Sequence, residues 1–174
     1  MQKKEKLIDK IIRVDHAGEY GARRIYEGQM KALKNSDVYE TLKEMHEHEK
    51  EHLDYFEDQM KDRATRPTVM LPLWHIGGFA MGFVTGVLGT KAAMACTVAV
   101  EEVIGEHYQG QEKALDPYKD EKDLKSKISK FKEDELEHKE IGEEHDAAGA
   151  PCYPLIYGAV RMITKLAVKI SEKI

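Results

Sequence analysis

Two glutamate and histidine pairs in this chain have the residue types and spacing of metal ligands. In each pair the histidine follows the glutamate by three residues, which places both side chains on one face of a helix. A further glutamate lies upstream of each pair in a separate helical stretch. Carboxylates and imidazoles from four helices form the ligand set of a carboxylate-bridged pair of metal ions in a helical bundle. The six predicted ligands are Glu19, Glu49, His52, Glu101, Glu135 and His138.

The positions of these six residues along the predicted helices indicate that they are buried. Each lies in a run of mostly apolar residues separated by three or four positions, the buried stripe of an amphipathic helix. The first such stripe is Ile8, Ile12, Asp15, Glu19, Ala22, Tyr26, Met30 and Leu33. Burying ionised groups costs several kcal/mol each unless opposite charge compensates, so we expect cations among them. The alternative, salt bridges on a charged helical surface, requires all six to occupy the stripes by accident.

The donor types narrow the choice of metal. Imidazole nitrogen excludes a pure calcium cage, and the lack of thiolates disfavours structural zinc. Two iron ions are the first expectation and manganese the second. We expect Glu49 and Glu135 to bridge the two ions, because their helices also supply the histidines. Glu19 and Glu101 would then each be a terminal ligand of one ion.

Composition and periodicity predict an all-α fold. Charged residues make up 34% of the 174 residues and aromatic residues 7%, a profile typical of helical proteins. A lone glutamate followed by a glutamate and histidine pair occurs twice, which indicates two repeated helical hairpins. The prediction is one ferritin-like four-helix bundle domain over 1–174, with hairpins at about 4–62 and 92–146, an apolar crossover at about 67–90 and a C-terminal helix at about 154–174.

Charge and cysteine content exclude several other classes of protein. The net charge of −5 provides no basic surface for nucleic acid. Cys96 and Cys152 are isolated, so neither a disulfide scaffold nor a rubredoxin-like iron centre is expected. The chain opens on a charged helical stretch without a signal or transit peptide, and we expect a mature, trimmed or cytosolic form.

In the first hairpin turn, Asn35 or Ser36 is expected to cap the second helix.

The crossover is unusual because residues 67–90 contain no Asp, Glu, Lys or Arg. Three interpretations remain open: a membrane span, a buried crossover, and a helix that lies on a membrane surface with Trp74 at the interface. Gly78, Gly82 and Gly86 recur every four residues and predict close contact with another helix. The C-terminal stretch has an apolar face and a basic face, as expected of a membrane-surface helix, although an ordinary packing helix would fit equally well.

Several segments resemble one known family, the 5-demethoxyubiquinone hydroxylases of ubiquinone biosynthesis, also called the clock-1 type. The resemblance covers nearly the whole chain, and the first and third segments distinguish it from ferritins and rubrerythrins. The segments are RVDHAGEYGA at 13–22, EKEH at 49–52, ACTVAVEE at 95–102, DELEH at 134–138 and HD at 145–146.

The resemblance implies a di-iron monooxygenase that uses O2 to hydroxylate the ring of a tailed quinone. The family's six ligands fall on the same six residues that the helical stripes select. The resemblance also implies peripheral binding to the matrix face of the mitochondrial inner membrane or to the bacterial cytoplasmic membrane. A lipid-binding partner of the ubiquinone-synthesis complex is expected, and whether the chain forms a homo-oligomer stays open. NADH, a flavoprotein or reduced quinone is the candidate electron donor. His107 and Tyr108 match positions suspected of passing electrons or protons, while core packing is the alternative for Tyr108.

Other polar residues near the ligands are candidates for hydrogen bonds that orient the metal-bound side chains. A metal-bound imidazole normally donates its other N–H to a carboxylate or carbonyl, and Asp15 and Asp134 are candidate acceptors, with capping or salt bridging as alternatives. His46, His48 and His75 are expected to face solvent or an interface rather than a metal.

Three other functions compete with hydroxylation. A membrane quinol oxidase would use a similar site without hydroxylating its substrate. A ferroxidase or iron store would need a soluble, cage-forming surface, which the apolar crossover disfavours. A non-catalytic scaffold of the ubiquinone-synthesis complex would have no need of all six ligands.

Overall fold

The computed structural model describes residues 2–174, which form six α-helices and, within that range, no β-strand. The helices are α1 (Gln2–Ala32), α2 (Tyr39–Arg63), α3 (Leu71–Val87), α4 (Thr90–Leu115), α5 (Lys122–Glu144) and α6 (Tyr153–Ser171). Short 3-10 turns precede α5 and α6. In the bundle α1 packs on α2 and α4 packs on α5, while α3 lies along α1 and α6 lies on α4. The prediction of an all-α, ferritin-like fold is confirmed.

The core consists of two apolar clusters with a polar layer between them along the bundle axis. Ile12 and Phe56 belong to one cluster, Leu42 and Met94 belong to the other, and all four are 0% exposed. Burying a side chain of this size stabilises the fold by roughly 1.5–3 kcal/mol. The two apolar clusters therefore stabilise the bundle on both sides of the polar layer.

The turn between α1 and α2 differs from the sequence prediction. The Ser36 hydroxyl donates to the carbonyl oxygen of Leu33 at 2.8 Å, so it satisfies the end of α1 and not the start of α2. Val38 is the residue that precedes α2, and no side chain caps that helix. Residues 37 and 38 continue the turn before α2 begins, and Val38 is buried in the core, at 1% exposed.

The crossover contains α3, which has one face on α1 and one face exposed. Leu73, Ile76 and Val84 on the outer face are 50%, 68% and 56% exposed, so the interpretation of a buried crossover is wrong. Because these side chains are half or more exposed, the apolar surface of α3 is available to a partner or a membrane surface. Within residues 2–174, no helix has the length and apolarity needed to cross a bilayer.

Glycines bring the backbones of α1 and α3 into near contact, as their four-residue spacing predicts. A Cβ atom on Gly82 would overlap the carbonyl oxygen of Ile25, and one on Gly78 would lie 2.9 Å from the carbonyl oxygen of Gly21. From the other side, a Cβ atom on Gly28 would overlap the backbone of Phe79. Any side chain at these positions must push the two helices apart.

Replacing Gly82 with alanine should therefore destabilise the protein by about 3 kcal/mol, because the new methyl group overlaps backbone atoms that cannot rotate away. Gly77 is the matched control on the same helix, since a Cβ atom there meets no atom within 4 Å. Gly77→Ala should stabilise the fold by up to about 1 kcal/mol through helix propensity. Urea unfolding of both variants measures the difference, and equal stabilities would contradict the close approach.

The C-terminal helix α6 has features of both predicted roles, the membrane-surface helix and the ordinary packing helix. Two of its basic side chains are not free, because Arg161 pairs with Glu102 at 3.1 Å and Lys165 pairs with Glu106 at 3.0 Å. These salt bridges attach α6 to α4, as an ordinary packing helix would be attached. The apolar face remains open, with Leu166 57% exposed.

Candidate metal centre

The four bundle helices bring the six predicted ligands together in the polar layer. Helix α1 supplies Glu19, α4 supplies Glu101, and α2 and α5 each supply a glutamate and a histidine. Two groups form, and within each group one ligand atom per residue lies within 4.8 Å of the others. The groups are Glu19, Glu49, His52 and Glu135, and Glu49, Glu101, Glu135 and His138. Glu49 and Glu135 belong to both groups, the position expected of bridging carboxylates.

The unsatisfied atoms of this layer fit a pair of cations. Each of the six residues is at most 1% exposed. Buried polar atoms are almost always hydrogen-bonded in native proteins. Seven ligand atoms here find no hydrogen-bond partner among the described residues. They are Nδ1 of His52 and His138, both carboxylate oxygens of Glu49 and Glu135, and Oε2 of Glu101. Four carboxylates and two imidazoles facing one another can hold two divalent ions.

Without metal, protons neutralise this cluster. Burial, followed by repulsion from the neighbouring carboxylates, raises the pKa of Glu49 and of Glu101 well above the ordinary value. Burial alone would lower the pKa of His52, but the carboxylates of Glu135 and Glu19, which lie 3.3 and 3.4 Å from its Nδ1, raise it to about 12. For Glu135, the attraction of the two nearby histidines outweighs burial and lowers the pKa. Metal ions must displace these protons in order to bind.

The stability of the metal-free protein should fall as pH rises from about 5 to about 9. Glu49 and Glu101 have raised pKa values, so the folded state retains protons that the unfolded state loses above the ordinary value of about 4.5. His52 acts in the same direction, because its stabilising contribution is fully present below about 6.5 and is lost as pH rises toward about 12. Thermal unfolding across this range measures the slope. Saturating Mn2+ should remove this dependence of stability on pH. A thermal unfolding midpoint of the metal-free protein that rises with pH would contradict the prediction.

The outward-facing nitrogens of the two histidines contact different groups. Nε2 of His52 lies 3.1 Å from Oδ2 of Asp134, and Nε2 of His138 lies 3.1 Å from Nδ1 of His48. Asp134 therefore has the contact predicted for it. Asp15 does not, because it accepts a hydrogen bond from Gln111 at 2.6 Å. His48 is exposed, as expected, yet it also supports a residue of the cluster, which the sequence interpretation misses.

Two tyrosines donate hydrogen bonds to Glu19 and Glu101, the two glutamates that each belong to only one of the ligand groups. Tyr26 on α1 donates to Oε1 of Glu101 on α4 at 2.6 Å, and Tyr108 on α4 donates to Oε1 of Glu19 on α1. Burial, followed by the nearby carboxylates, raises both phenol pKa values well above the ordinary value, so both hydroxyls stay protonated as donors. Sequence reasoning places Tyr26 only in the core. Its spacing of seven residues after Glu19, repeated by Tyr108 after Glu101, is the signal that could have identified it.

The two predicted relay residues lie in different surroundings. Tyr108 contacts the cluster directly through Glu19, whereas His107 does not contact any of the six. Nε2 of His107 lies 2.8 Å from the side-chain nitrogen of Gln111 and 3.7 Å from Asp15. His107 also lines a surface cleft of about 220 Å³, and burial lowers its pKa. A chain of polar groups thus leads from this cleft toward Glu19.

An apolar cavity of about 560 Å³ lies beside the polar layer, between α1, α3, α4 and α6. Gly18 lines it and precedes Glu19, Ala22 lines it three residues after Glu19, and Val100 lines it and precedes Glu101. The inner wall of the cavity is therefore built on the same helical turns as the ligands. Its volume falls within the range of about 300–1,000 Å³ that is typical of small-molecule sites.

The chain is similar to one protein family and to several named relatives. Residues 6–171 match the family described as Ubiquinone biosynthesis protein COQ7. In Dictyostelium discoideum, the protein named NADPH-dependent 3-demethoxyubiquinone 3-hydroxylase, mitochondrial, is 46% identical over 172 residues, which cover 98% of this chain and 79% of the relative. The human protein of that name is 47% identical over 170 residues, with coverages of 96% and 78%. The 3-demethoxyubiquinol 3-hydroxylase of Rhodospirillum rubrum is 46% identical over 169 residues, with coverages of 97% and 79%.

Proposed function

Because the chain belongs to the family of the ubiquinone biosynthesis protein COQ7, we propose that it hydroxylates the ring of demethoxyubiquinone with O2 at a pair of iron ions. The observation that carries this proposal is the apolar cavity beside a layer of unsatisfied carboxylates and imidazoles. Neither feature suffices alone, because a buried metal cluster would serve a ferroxidase equally well. Together they match an enzyme that must bring an apolar ring to an O2-activating centre.

The six buried residues would hold the ions in the arrangement of the two groups. Glu49 and Glu135 would serve both ions, Glu19 and His52 would serve one, and Glu101 and His138 would serve the other. Reduced iron would supply the activation of O2. The chain's own residues exclude water from the layer and fix the carboxylates, since each tyrosine occupies one oxygen of a terminal glutamate and leaves the other for metal.

His107 and Tyr108 are proposed to carry protons to the site. Proton delivery must cross the buried layer, and the cleft beside His107 is the polar approach to it. Gln111 and Asp15 connect His107 to the turn of α1 that carries Glu19, and Tyr108 donates to Glu19 itself. The cleft and the apolar cavity are separate openings that share only Val14 in their linings, so protons and quinone would enter through different openings.

The quinone ring and the first part of its tail are proposed to occupy the apolar cavity, with the tail leaving between α3 and α6. Both helices line this opening with exposed apolar side chains, including Leu73 at 50% and Ile163 at 49%. A substrate dissolved in a bilayer would enter from the membrane plane. We therefore assign the chain to a membrane surface as a peripheral protein: the matrix face of the mitochondrial inner membrane in eukaryotes, or the cytoplasmic membrane in bacteria.

Replacing Ile76 or Leu166 with aspartate should weaken binding to phospholipid vesicles by at least about tenfold, because each removes a large exposed apolar group from the proposed contact surface. Neither side chain contributes to the core, so metal content and thermal stability should stay unchanged. Vesicle co-sedimentation measures the binding. Leu136, 46% exposed on α5, is the matched control position, and Leu136→Asp should bind vesicles like the wild type.

The exposed faces of α3 and α6 also suit a lipid-binding partner protein or a second copy of this chain. Vesicle binding by the isolated chain distinguishes direct membrane contact from contact with either of these proteins. The electron donor is likewise proposed to be a reduced pyridine nucleotide. NADH is the expectation from sequence, whereas the names of the Dictyostelium and human relatives specify NADPH.

Turnover under isotopically labelled O2 tests the proposed function. The iron-loaded protein, vesicles containing demethoxyubiquinone, and NADPH or NADH in separate reactions should yield a quinone with one labelled oxygen atom on the ring. Labelled water without labelled quinone would instead identify a quinol oxidase. No O2 consumption by protein that retains both irons would favour a non-catalytic scaffold.

A further inference from the structure

The two halves of the candidate metal centre are nearly symmetric, with one exception. In the repeat, the residue before each shared glutamate is His48 in the first half and Asp134 in the second. Each supports the histidine of the opposite helix: Asp134 contacts His52, and His48 contacts His138, both at 3.1 Å. The two halves therefore differ in the chemical group that accepts the outer N–H of the histidine.

Because of this difference, the two imidazoles should donate unequal electron density to a bound metal ion. In both histidines Nδ1 faces the carboxylates, so binding a metal there leaves the proton on Nε2, which must donate outward. A carboxylate acceptor raises the basicity of a metal-bound imidazole. Asp134 provides such an acceptor, with its side chain 23% exposed and Lys130 3.9 Å away. His48 provides a ring nitrogen in place of an anionic oxygen, and it is exposed to water.

We propose that the two metal positions are unequal, with the tighter at Glu19 and His52 and the weaker at Glu101 and His138. The two ions then load in sequence, and the position supported by His48 is the one that empties first. The inference rests on the proposed function only in assuming that the six residues hold two metal ions. His48 and Asp134 are positioning residues, because they act through the histidines they contact.

The chain permits a matched exchange of these two residues. Nδ1 of histidine and Oδ of aspartate or asparagine are attached at the same distance along the side chain, so each replacement keeps an acceptor in place. Asp134→Asn should weaken the tighter Mn2+ step about 10- to 100-fold, the range for losing an outer partner of a metal ligand. His48→Asn replaces one neutral acceptor with another and should change the weaker step less than about threefold. His48→Asp should tighten the weaker step about tenfold or more.

Calorimetric titration of the metal-free full-length chain with Mn2+ measures both steps. Electron paramagnetic resonance at one equivalent should show the hyperfine-split signal of an isolated ion, and a second equivalent should broaden it through coupling. Glu101→Gln should retain the tighter step and Glu19→Gln should lose it, which assigns each step to its position. In the double variant His48→Asp/Asp134→His, the assignment should reverse.

Several results would overturn the inference. Two equal steps in the wild type, equal effects of Asp134→Asn and His48→Asn, or an unchanged assignment in the double variant would each show that the outer partners do not set the order. Failure of the wild type to bind Mn2+ or Fe2+ at all would instead overturn the proposed function. Circular dichroism of every variant verifies that a lost step reflects the site and not unfolding.

Discussion

Replacing Glu135 with alanine is expected to reduce hydroxylation at least about 100-fold and to leave the protein without a coupled metal pair. Glu135 belongs to both ligand groups, so its loss removes a donor from each position at once. It also balances the charge of His52, whose raised pKa depends on it. Metal analysis and the spectroscopic signature of coupled iron measure the first effect, and labelled quinone measures the second.

Two further variants separate chemistry from folding in that experiment. Glu135→Gln keeps the shape of the side chain while removing its charge, so it should fold like the wild type and still lose the coupled signature. Glu137→Ala is the control, since Glu137 is exposed on the same helix between Glu135 and His138. Full activity of Glu135→Ala with two irons per chain would show that the six residues do not form the metal site.

The candidate ligands are predictable from sequence because the information that selects them is local. Glu49 and His52 share a helix face through their spacing alone, and their place in an apolar stripe indicates burial without knowledge of the partner helix. The same reasoning selects Gly82 for close helix contact, since small residues every four positions form a smooth ridge. Periodicity within one helix is enough in each case.

The features that sequence reasoning misses depend on how one helix is rotated against another. The contact of His48 with His138 joins α2 to α5, and no periodicity within α2 reveals it. Similarly, the sequence predicts free basic side chains on α6, but Arg161 pairs with Glu102 on α4. The internal repeat contains part of this information, because His48 occupies the position of Asp134 and Tyr26 that of Tyr108.

Filling the apolar cavity should impair hydroxylation of long-tailed quinone selectively. Gly21 lines this cavity, and a Cβ atom there would meet no atom within 4 Å. Gly21→Leu should therefore fold normally, with a small gain in helix propensity, while its side chain occupies the proposed path of the tail. We expect kcat/KM for a long-tailed substrate to fall at least about tenfold, mainly through KM.

The same variant should hydroxylate a tailless ring at nearly the wild-type rate, because the metal ligands and their hydrogen bonds are untouched. Gly158→Leu is the matched control: Gly158 is exposed on α6, a Cβ atom there would meet no atom within 4 Å, and it does not line the cavity. Equal losses on both substrates would mean that leucine disturbs the metal layer. Unchanged kinetics on both would place the quinone outside the cavity, and the tail would then need another route to a cluster that water cannot reach.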